Sequence, residues 1–266
     1  MKFDIQPLTI QDFSAAAVVF HGDSENTFTR SSLQDFKNIL EKIKEEGTVS
    51  GLILASGNPK FFSSGLNLEN IVKTPLNALI DEILEIIEFY YYLISYPLPL
   101  VSEICGHALG AGAIIALGSD YSYMLNSKGR FGFTEVHVGL PLPYPIVEKL
   151  KTTVHHEILN DIILLGKTFR PPEALKYGLV NQLAESQEDL RKLSVIKLKE
   201  MMRIDRQAFA WTKFTCNQNV IEKQKESLDY MRARLKNDGY LENLLSKIQS
   251  ILERKNNPKN QDKMNE

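Results

Sequence analysis

The chain has 266 residues, 43% hydrophobic and 24% charged, which excludes a disordered, collagen-like or disulfide-stapled protein and allows a buried core in one large or two small domains. Its 31 Lys and Arg against 33 Asp and Glu leave a net charge of −2, so no global basic field exists and no nucleic-acid partner is expected. The most apolar run, residues 108–117, falls short of the ~20 residues of a membrane span and contains Gly110 and Gly112, so no membrane partner is expected either.

Residues 15–21, Ala-Ala-Ala-Val-Val-Phe-His, read as a strand closed by the turn cluster Gly22-Asp23-Ser24-Glu25-Asn26. Over residues 31–43, Leu33, Phe36, Ile39, Leu40 and Ile43 recur every three or four positions, which predicts a helix with one buried stripe. A strand is expected over residues 49–55, and residues 56–65, dense in Ser, Gly, Asn and Pro, read as a loop. Leu79, Ile83, Ile86, Ile87, Tyr90 and Leu93 predict a long helix over Leu76–Ser95, stopped ahead of Pro97 and Pro99, with a short strand over residues 99–104 after it.

The small residues of 106–118 suggest a helix packed closely on neighbouring backbone, its N-terminus deep in the fold. Tyr121–Leu125 and residues 130–133 read as strands around the turn Asn126-Ser127-Lys128-Gly129, and Glu135 sits just beyond. From Pro143 the chain is mostly helical, with a helix over residues 172–177 ended by Gly178 and a long charged helical stretch over residues 188–255. Strand–helix alternation followed by a helical block predicts an α/β body over residues 1–190, a helical part over 191–256 and a frayed tail over 257–266.

Three segments hold groups suited to chemistry. In Phe62-Ser63-Ser64-Gly65-Leu66-Asn67-Leu68, the glycine lets the next N–H point outward as a donor, although the segment also reads as an ordinary connection. Gly106-His107-Ala108-Leu109-Gly110-Ala111-Gly112-Ala113 lacks both a closing Gly-Lys-Ser/Thr and the G-x-G-x-x-G register. It serves close packing or frees first-turn N–H groups for a ligand. In Gly132-Phe133-Thr134-Glu135-Val136, a carboxylate beside apolar side chains would have a raised pKa if half-buried, while a surface glutamate is the plainer reading. Together these supply two backbone donors and one carboxylate, which is what proton abstraction beside a thioester carbonyl requires.

Five ordered blocks carry a resemblance: Glu25-Asn26-Thr27-Phe28; Lys60-Phe61-Phe62-Ser63-Ser64-Gly65-Leu66-Asn67-Leu68; residues 106–113 with Ser119-Asp120-Tyr121; Phe131-Gly132-Phe133-Thr134-Glu135-Val136 with Gly139-Leu140-Pro141; and Pro172-Glu173-Ala174-Leu175-Lys176-Tyr177-Gly178-Leu179-Val180-Asn181. They resemble the enoyl-CoA hydratase/isomerase family, or crotonase superfamily, over most of the chain. The resemblance implies an α/β fold of the crotonase type, a ββα superhelix with a C-terminal α-helical domain. It also implies enolate chemistry on an acyl-CoA thioester, with coenzyme A arriving as part of the substrate and no separate cofactor or metal. It places the oxyanion-hole N–H groups on Leu66 and Ala111 and the catalytic carboxylate on Glu135. Thr27, Phe28 and Lys60 become candidate coenzyme A contacts, and Ser64, Gly65, Asn67, Leu68, Gly110 and Ile114 candidate substrate neighbours.

Family hydratases carry a second glutamate, which here falls on Ile114. Hydration needs a pair of groups to hold and deprotonate water, whereas one base can move a proton from C2 to C4. The pattern is therefore similar to the branch that isomerises 3-enoyl-CoA to 2-enoyl-CoA in fatty acid oxidation. Alternatives are a hydratase drawing its second acid from Glu69, Asp81, Glu82 or Glu85, a thioester hydrolase, and a non-catalytic acyl-CoA-binding homologue.

The apolar stripe of Leu228, Met231, Leu235, Leu241, Leu244, Leu245 and Ile248 exceeds the evident need of one small helical domain. With the family's habit of subunit packing through C-terminal helices, it implies a homotrimer or dimer of trimers, against a monomer that buries the stripe internally. Cys105 and His107 lack a second ligand pair, so no metal site is expected, and no Gly-x-Ser-x-Gly elbow frames Ser63 or Ser64. Two cysteines far apart suit a reducing compartment, and with no apolar leader and no Ser-Lys-Leu-type ending the cytoplasm is the expected location.

Overall fold

The computed structural model describes residues 1–237 and 239–255. After a first hairpin, β1 (Lys2–Ile10) and β2 (Phe13–His21), helix α1 (Arg30–Glu46) leads into a unit that recurs three times. In each unit one strand enters a large sheet, the next enters a small one, and a helix follows. The first is β3 (Leu52–Ser56), β4 (Phe61–Ser63), α2 (Leu68–Lys73) and α3 (Leu76–Ser95). The second is β5 (Leu100–Ile104), β6 (His107–Leu109) and α4 (Ala111–Leu117), and the third β7 (Tyr121–Leu125), β8 (Phe131–Gly132) and α5 (Glu135–Val138). The large sheet has the order β1-β2-β3-β5-β7-β9, parallel except for the first hairpin, with β9 (Gln182–Ala184) at its edge; the small one has the parallel order β4-β6-β8.

Both faces of the large sheet are covered, which is why β3 opens on an apolar run, Leu52 to Ala55, and β5 is buried along its whole length, Ser102 and Glu103 included. Leu52 and Leu54 point to one core, and Ile53 and Ala55 to the other, as a period of two requires. The first core holds α1 and α3. The second is closed by α9 (Gln187–Met202) through Leu190, Leu198 and Met201, so that helix, which straddles residue 190, packs on the body. Helix α1 has its expected stripe buried, starts at a Thr29–Ser32 capping box and stops at Gly47 in the left-handed region. Helix α3 spans the expected residues and is apolar nearly all round because α1, α10 (Arg206–Ile221) and α11 (Gln224–Leu235) surround it. The remaining helices are α6 (Tyr144–Thr153), α7 (Leu159–Ile163), α8 (Pro171–Lys176) and α12 (Tyr240–Lys255).

Four expectations need correction. Residues 56–65 are not all loop: turn chemistry fills the first half, while Phe62 and Ser63 in β4 are fully buried and pair with β6. Residues 106–118 are not one helix, because β6 takes the first part and Gly110, at φ +49°, turns the chain into α4. The small residues there do serve close approach: a Cβ on Gly106 would lie 2.0 Å from Lys60 O, and one on Gly112 2.4 Å from Ser63 O. Third, the strand over residues 15–21 is not where the sheet begins: β1 precedes it at the edge, unread from the sequence because its side chains are mostly exposed and burial leaves little period. Fourth, the stripe on α11 and α12 is largely taken up within the chain: Met231, Leu235, Leu244 and Ile248 are buried, and Leu228, Leu241 and Leu245 are half-buried against the same core. The expected tail, 257–266, lies outside the described residues.

Candidate active site

Strand β4 delivers the chain to Gly65, whose φ of +109° suits glycine. A Cβ there would stand 3.2 Å from Leu109 O and 3.3 Å from Ala111 N, so this glycine lets the loop close on the start of α4. Residue 66 bridges to Phe28 in parallel: Phe28 N donates to Gly65 O at 2.9 Å and Asn67 N to Phe28 O at 2.8 Å. Those two bonds use the groups on either side of Leu66, so its own N–H turns the opposite way, toward the cavity that Leu66 lines. Across from it, Ala111 is the first residue of α4 and its N–H has no acceptor within the helix.

Strand β8 and the turn at Thr134 bring Glu135 over the same spot. Its Oε1 lies 3.7 Å, and Thr134 Oγ1 3.6 Å, from where a Cβ on Gly110 would be. Glu135 Oε2 is buried and has no hydrogen-bond partner, although part of the residue reaches solvent. Loss of hydration pushes its pKa from 4.5 up to about 7, against a smaller opposing pull from backbone hydrogen bonding. At neutral pH such a carboxyl exchanges a proton readily in either direction.

The cavity between these groups encloses about 120 Å³ and is walled by Ile71, Ile83, Ile86, Ile87, Ile114 and Met231. Glu135 is its one carboxylate among the described residues. The four alternative acids stand elsewhere. Asp81 pairs with Arg232, Glu82 accepts from Arg30 N and Asn70 Nδ2 at 2.8 Å each, Glu85 accepts from Arg30 and Gln34, and exposed Glu69 faces Lys73. Ser64 donates to Glu25 at 2.9 Å rather than to a histidine.

Of the expected site residues, Ser64, Gly65, Leu66, Leu68, Gly110, Ala111, Ile114 and Glu135 converge on this cavity. Thr27 and Asn67 line an adjoining mouth, where Asn67 Nδ2 donates to Thr27 Oγ1 at 2.8 Å and Asn67 Oδ1 caps α2 through Asn70 N at 2.7 Å. Phe28 contributes backbone only, its ring being fully buried beside Phe20 and Phe36. Lys60 is exposed and lines neither opening; its carbonyl accepts from His107 N at 2.8 Å. Sequence reasoning missed Thr134 and the wall formed by α3 and Met231. The i, i+3, i+4 run of Ile83, Ile86 and Ile87 was visible as a core face, with nothing to mark it as the lining of a cavity.

A family model described as enoyl-CoA hydratase/isomerase matches residues 14–257. The chain belongs to the enoyl-CoA hydratase/isomerase family. It is similar to peroxisomal enoyl-CoA delta isomerase 2 of Arabidopsis thaliana, at 25% identity over 190 residues, covering 68% of this chain and 78% of that one. It is also similar to mitochondrial enoyl-CoA delta isomerase 1 of Rattus norvegicus, at 30% identity over 169 residues; that match covers 63% of this chain and 58% of the rat protein, under two thirds of its length. The solved structure of human mitochondrial delta3-delta2-enoyl-CoA isomerase superposes with a TM-score of 0.83 at 22% identity, covering 95% of this chain and 99% of that one. The enoyl-CoA hydratase/isomerase fold expected from the sequence, with its two sheets and C-terminal helices, is therefore the fold observed.

Proposed function

We propose that the protein isomerises 3-enoyl-CoA to 2-enoyl-CoA in fatty acid oxidation, with Glu135 as the single proton carrier. The carrying observation is one buried, unpartnered carboxylate against two free N–H groups, with apolar Ile114 standing where a second acid would be needed. Glu135 takes a proton from C2, and the electron pair left behind forms a C1–C2 double bond as the carbonyl electrons move to oxygen. The N–H groups of Leu66 and Ala111 stabilise that oxyanion. Glu135 then returns its proton to C4, the double bond moves to C2–C3, and the thioester carbonyl reforms; no atom is gained or lost. The isomerase names of the relatives support the same reading.

The test is conversion of 3-hexenoyl-CoA to 2-hexenoyl-CoA followed by ultraviolet absorbance, beside hydration of crotonyl-CoA, in the wild type and Glu135→Gln. Isomerisation lost in the variant, with little hydration in either, supports the proposal. Dominant hydration, activity that survives the substitution, or silence on both substrates overturns it. We further infer self-association through the face bearing Ile204, Trp211 and Phe214, all left exposed on and beside α10.

A further inference from the structure

Glu135 stands on a helix too short to hold itself. Helix α5 is a single turn of four residues, closed by His137 N to Thr134 O and Leu140 N to Glu135 O, each at 3.0 Å. One turn fixes more backbone dihedrals than it gains hydrogen bonds, so what keeps it in shape must come from outside. On one side His137 Nε2 donates to Leu165 O at 2.8 Å, and the chain there runs so close that a Cβ on Gly166 would stand 2.8 Å from Val136 Cγ2. On the other side Tyr240 Oη donates to Gly139 O at 2.6 Å.

The second tie has the more direct line to the carboxylate. Gly139, at φ +91°, ends α5 in the left-handed region, and its carbonyl belongs to the same peptide unit as Leu140 N. Tyr240 therefore grips one edge of a peptide whose other edge bonds to Glu135 O. The grip comes from a firm support. Tyr240 opens α12, which packs on both α2 and α5 and buries Leu244 and Ile248.

We propose that Tyr240 is a positioning residue: through the Gly139–Leu140 peptide it fixes the backbone of Glu135, and so holds the carboxyl inside the apolar cavity against the N–H groups of Leu66 and Ala111. The kinetic consequence rests on the isomerase reading, whereas the placement of the side chain does not. The test is Tyr240→Phe in the full-length protein, which removes the hydroxyl and keeps the ring. On 3-hexenoyl-CoA, kcat should fall about tenfold with KM within about twofold, since a reacting group misplaced by about 1 Å costs up to roughly 10²-fold and one of two outside ties remains.

A second readout needs no turnover: titration of Glu135 by carbon NMR in protein labelled at the glutamate carboxyl, its signal assigned by its loss in Glu135→Gln. Burial raises the wild-type value to about 7, and no other charged side chain lines the cavity among the described residues. The titratable groups packed at the far end of α5 are its own His137 and Lys247 of α12, whose Nζ lies 3.7 Å from where a Cβ on Gly139 would be. A loosened α5 lets water reach the carboxyl, so its value in Tyr240→Phe should drop by about one pH unit. Ile248→Val is the control for stability alone: it trims a buried side chain of α12, leaves the tyrosine bond in place and should lower Tm by about 2–4 °C. Both readouts should stay at wild-type values in that control.

An unmoved Glu135 titration in Tyr240→Phe, a kcat within twofold of the wild type, or an equal change in Ile248→Val overturns the proposal. The two readings fail separately. A shifted titration in a protein whose wild type does not convert 3-hexenoyl-CoA removes only the isomerase reaction, and conversion with an unmoved titration removes only the role of Tyr240.

Discussion

The large sheet and the cavity both bury carboxylates, and they treat them in opposite ways. On the large sheet, Glu103 takes both guanidinium arms of Arg191 at 2.7 and 2.9 Å, and Asp120 accepts from Lys213 at 2.9 Å and from Leu100 N at 2.8 Å. At the cavity, Glu135 Oε2 accepts from nothing. A buried charge without a partner is expensive, so the fold satisfies carboxylates where they join elements together and leaves one unsatisfied where the substrate must supply what is missing. The consequence is a raised pKa: lost hydration, uncompensated by a cation, pushes Glu135 up to about 7.

The largest effect should come from breaking the cavity side. Glu135→Gln removes the proton carrier while keeping nearly the same volume, so kcat for isomerisation should fall by roughly 10²–10⁴-fold, measured by absorbance on 3-hexenoyl-CoA. In the wild type, kcat/KM should rise with pH through about 7, because the carboxylate is the form that abstracts the proton; a flat profile across that range would remove Glu135 as the base.

Breaking the sheet side should leave the chemistry and reduce stability. Lys213→Met strands Asp120, whose side chain is 16% exposed, after removing a cation that is itself 6% exposed. Loss of about 3 kcal/mol of unfolding free energy is expected by urea denaturation at pH 7, since a nearly buried acid then lacks its counter-charge.

A comparable effect of opposite sign separates the two regions. The folded-state pKa of Glu135, about 7, exceeds its ordinary 4.5, so between those values the native state binds more protons than the unfolded chain. Wild-type stability from this group therefore falls as pH rises from about 4.5 to 7, then levels. Glutamine does not titrate, so Glu135→Gln should be more stable than the wild type at pH 8 by up to about 3 kcal/mol and nearly equal at pH 4. An equal difference at both pH values would mean that the side chain is hydrated.

The sequence revealed these regions unevenly. Helix α3 and strand β7 were legible to the residue, because a long apolar period punctuated by Pro97 and a run of Tyr121 to Leu125 before a turn are local signals. Strands β4 and β6 were not: each has three residues, too few for a period, and each forms only by pairing with backbone distant in sequence, β4 with β6 and β6 with β4 and β8. At the site, Gly65, Gly110 and Glu135 could be read because conformation and chemistry single them out. Met231 could not, since its place in the wall follows from how α11 docks on α3. Lys60 shows the converse, a residue inside a recognisable motif whose side chain the fold sends to solvent.

The smallest expected effect is the sharpest test of why the sheet-side acids are paired. If Lys213 and Asp120 were a major source of stability, removing both would cost more than removing one. The physical expectation is the reverse: the attraction between the two charges is largely offset by the cost of taking them out of water, and most of the loss in Lys213→Met comes from the acid left behind. In Asp120→Asn with Lys213→Met, no buried charge remains and the asparagine oxygen still accepts from Leu100 N. That double variant should unfold within about 1 kcal/mol of the wild type, recovering most of what the single variant loses. A double variant as unstable as Lys213→Met would mean that the ion pair itself ties α10 to the sheet, and that the contrast with Glu135 reflects strength of attachment rather than the cost of an unpaired charge.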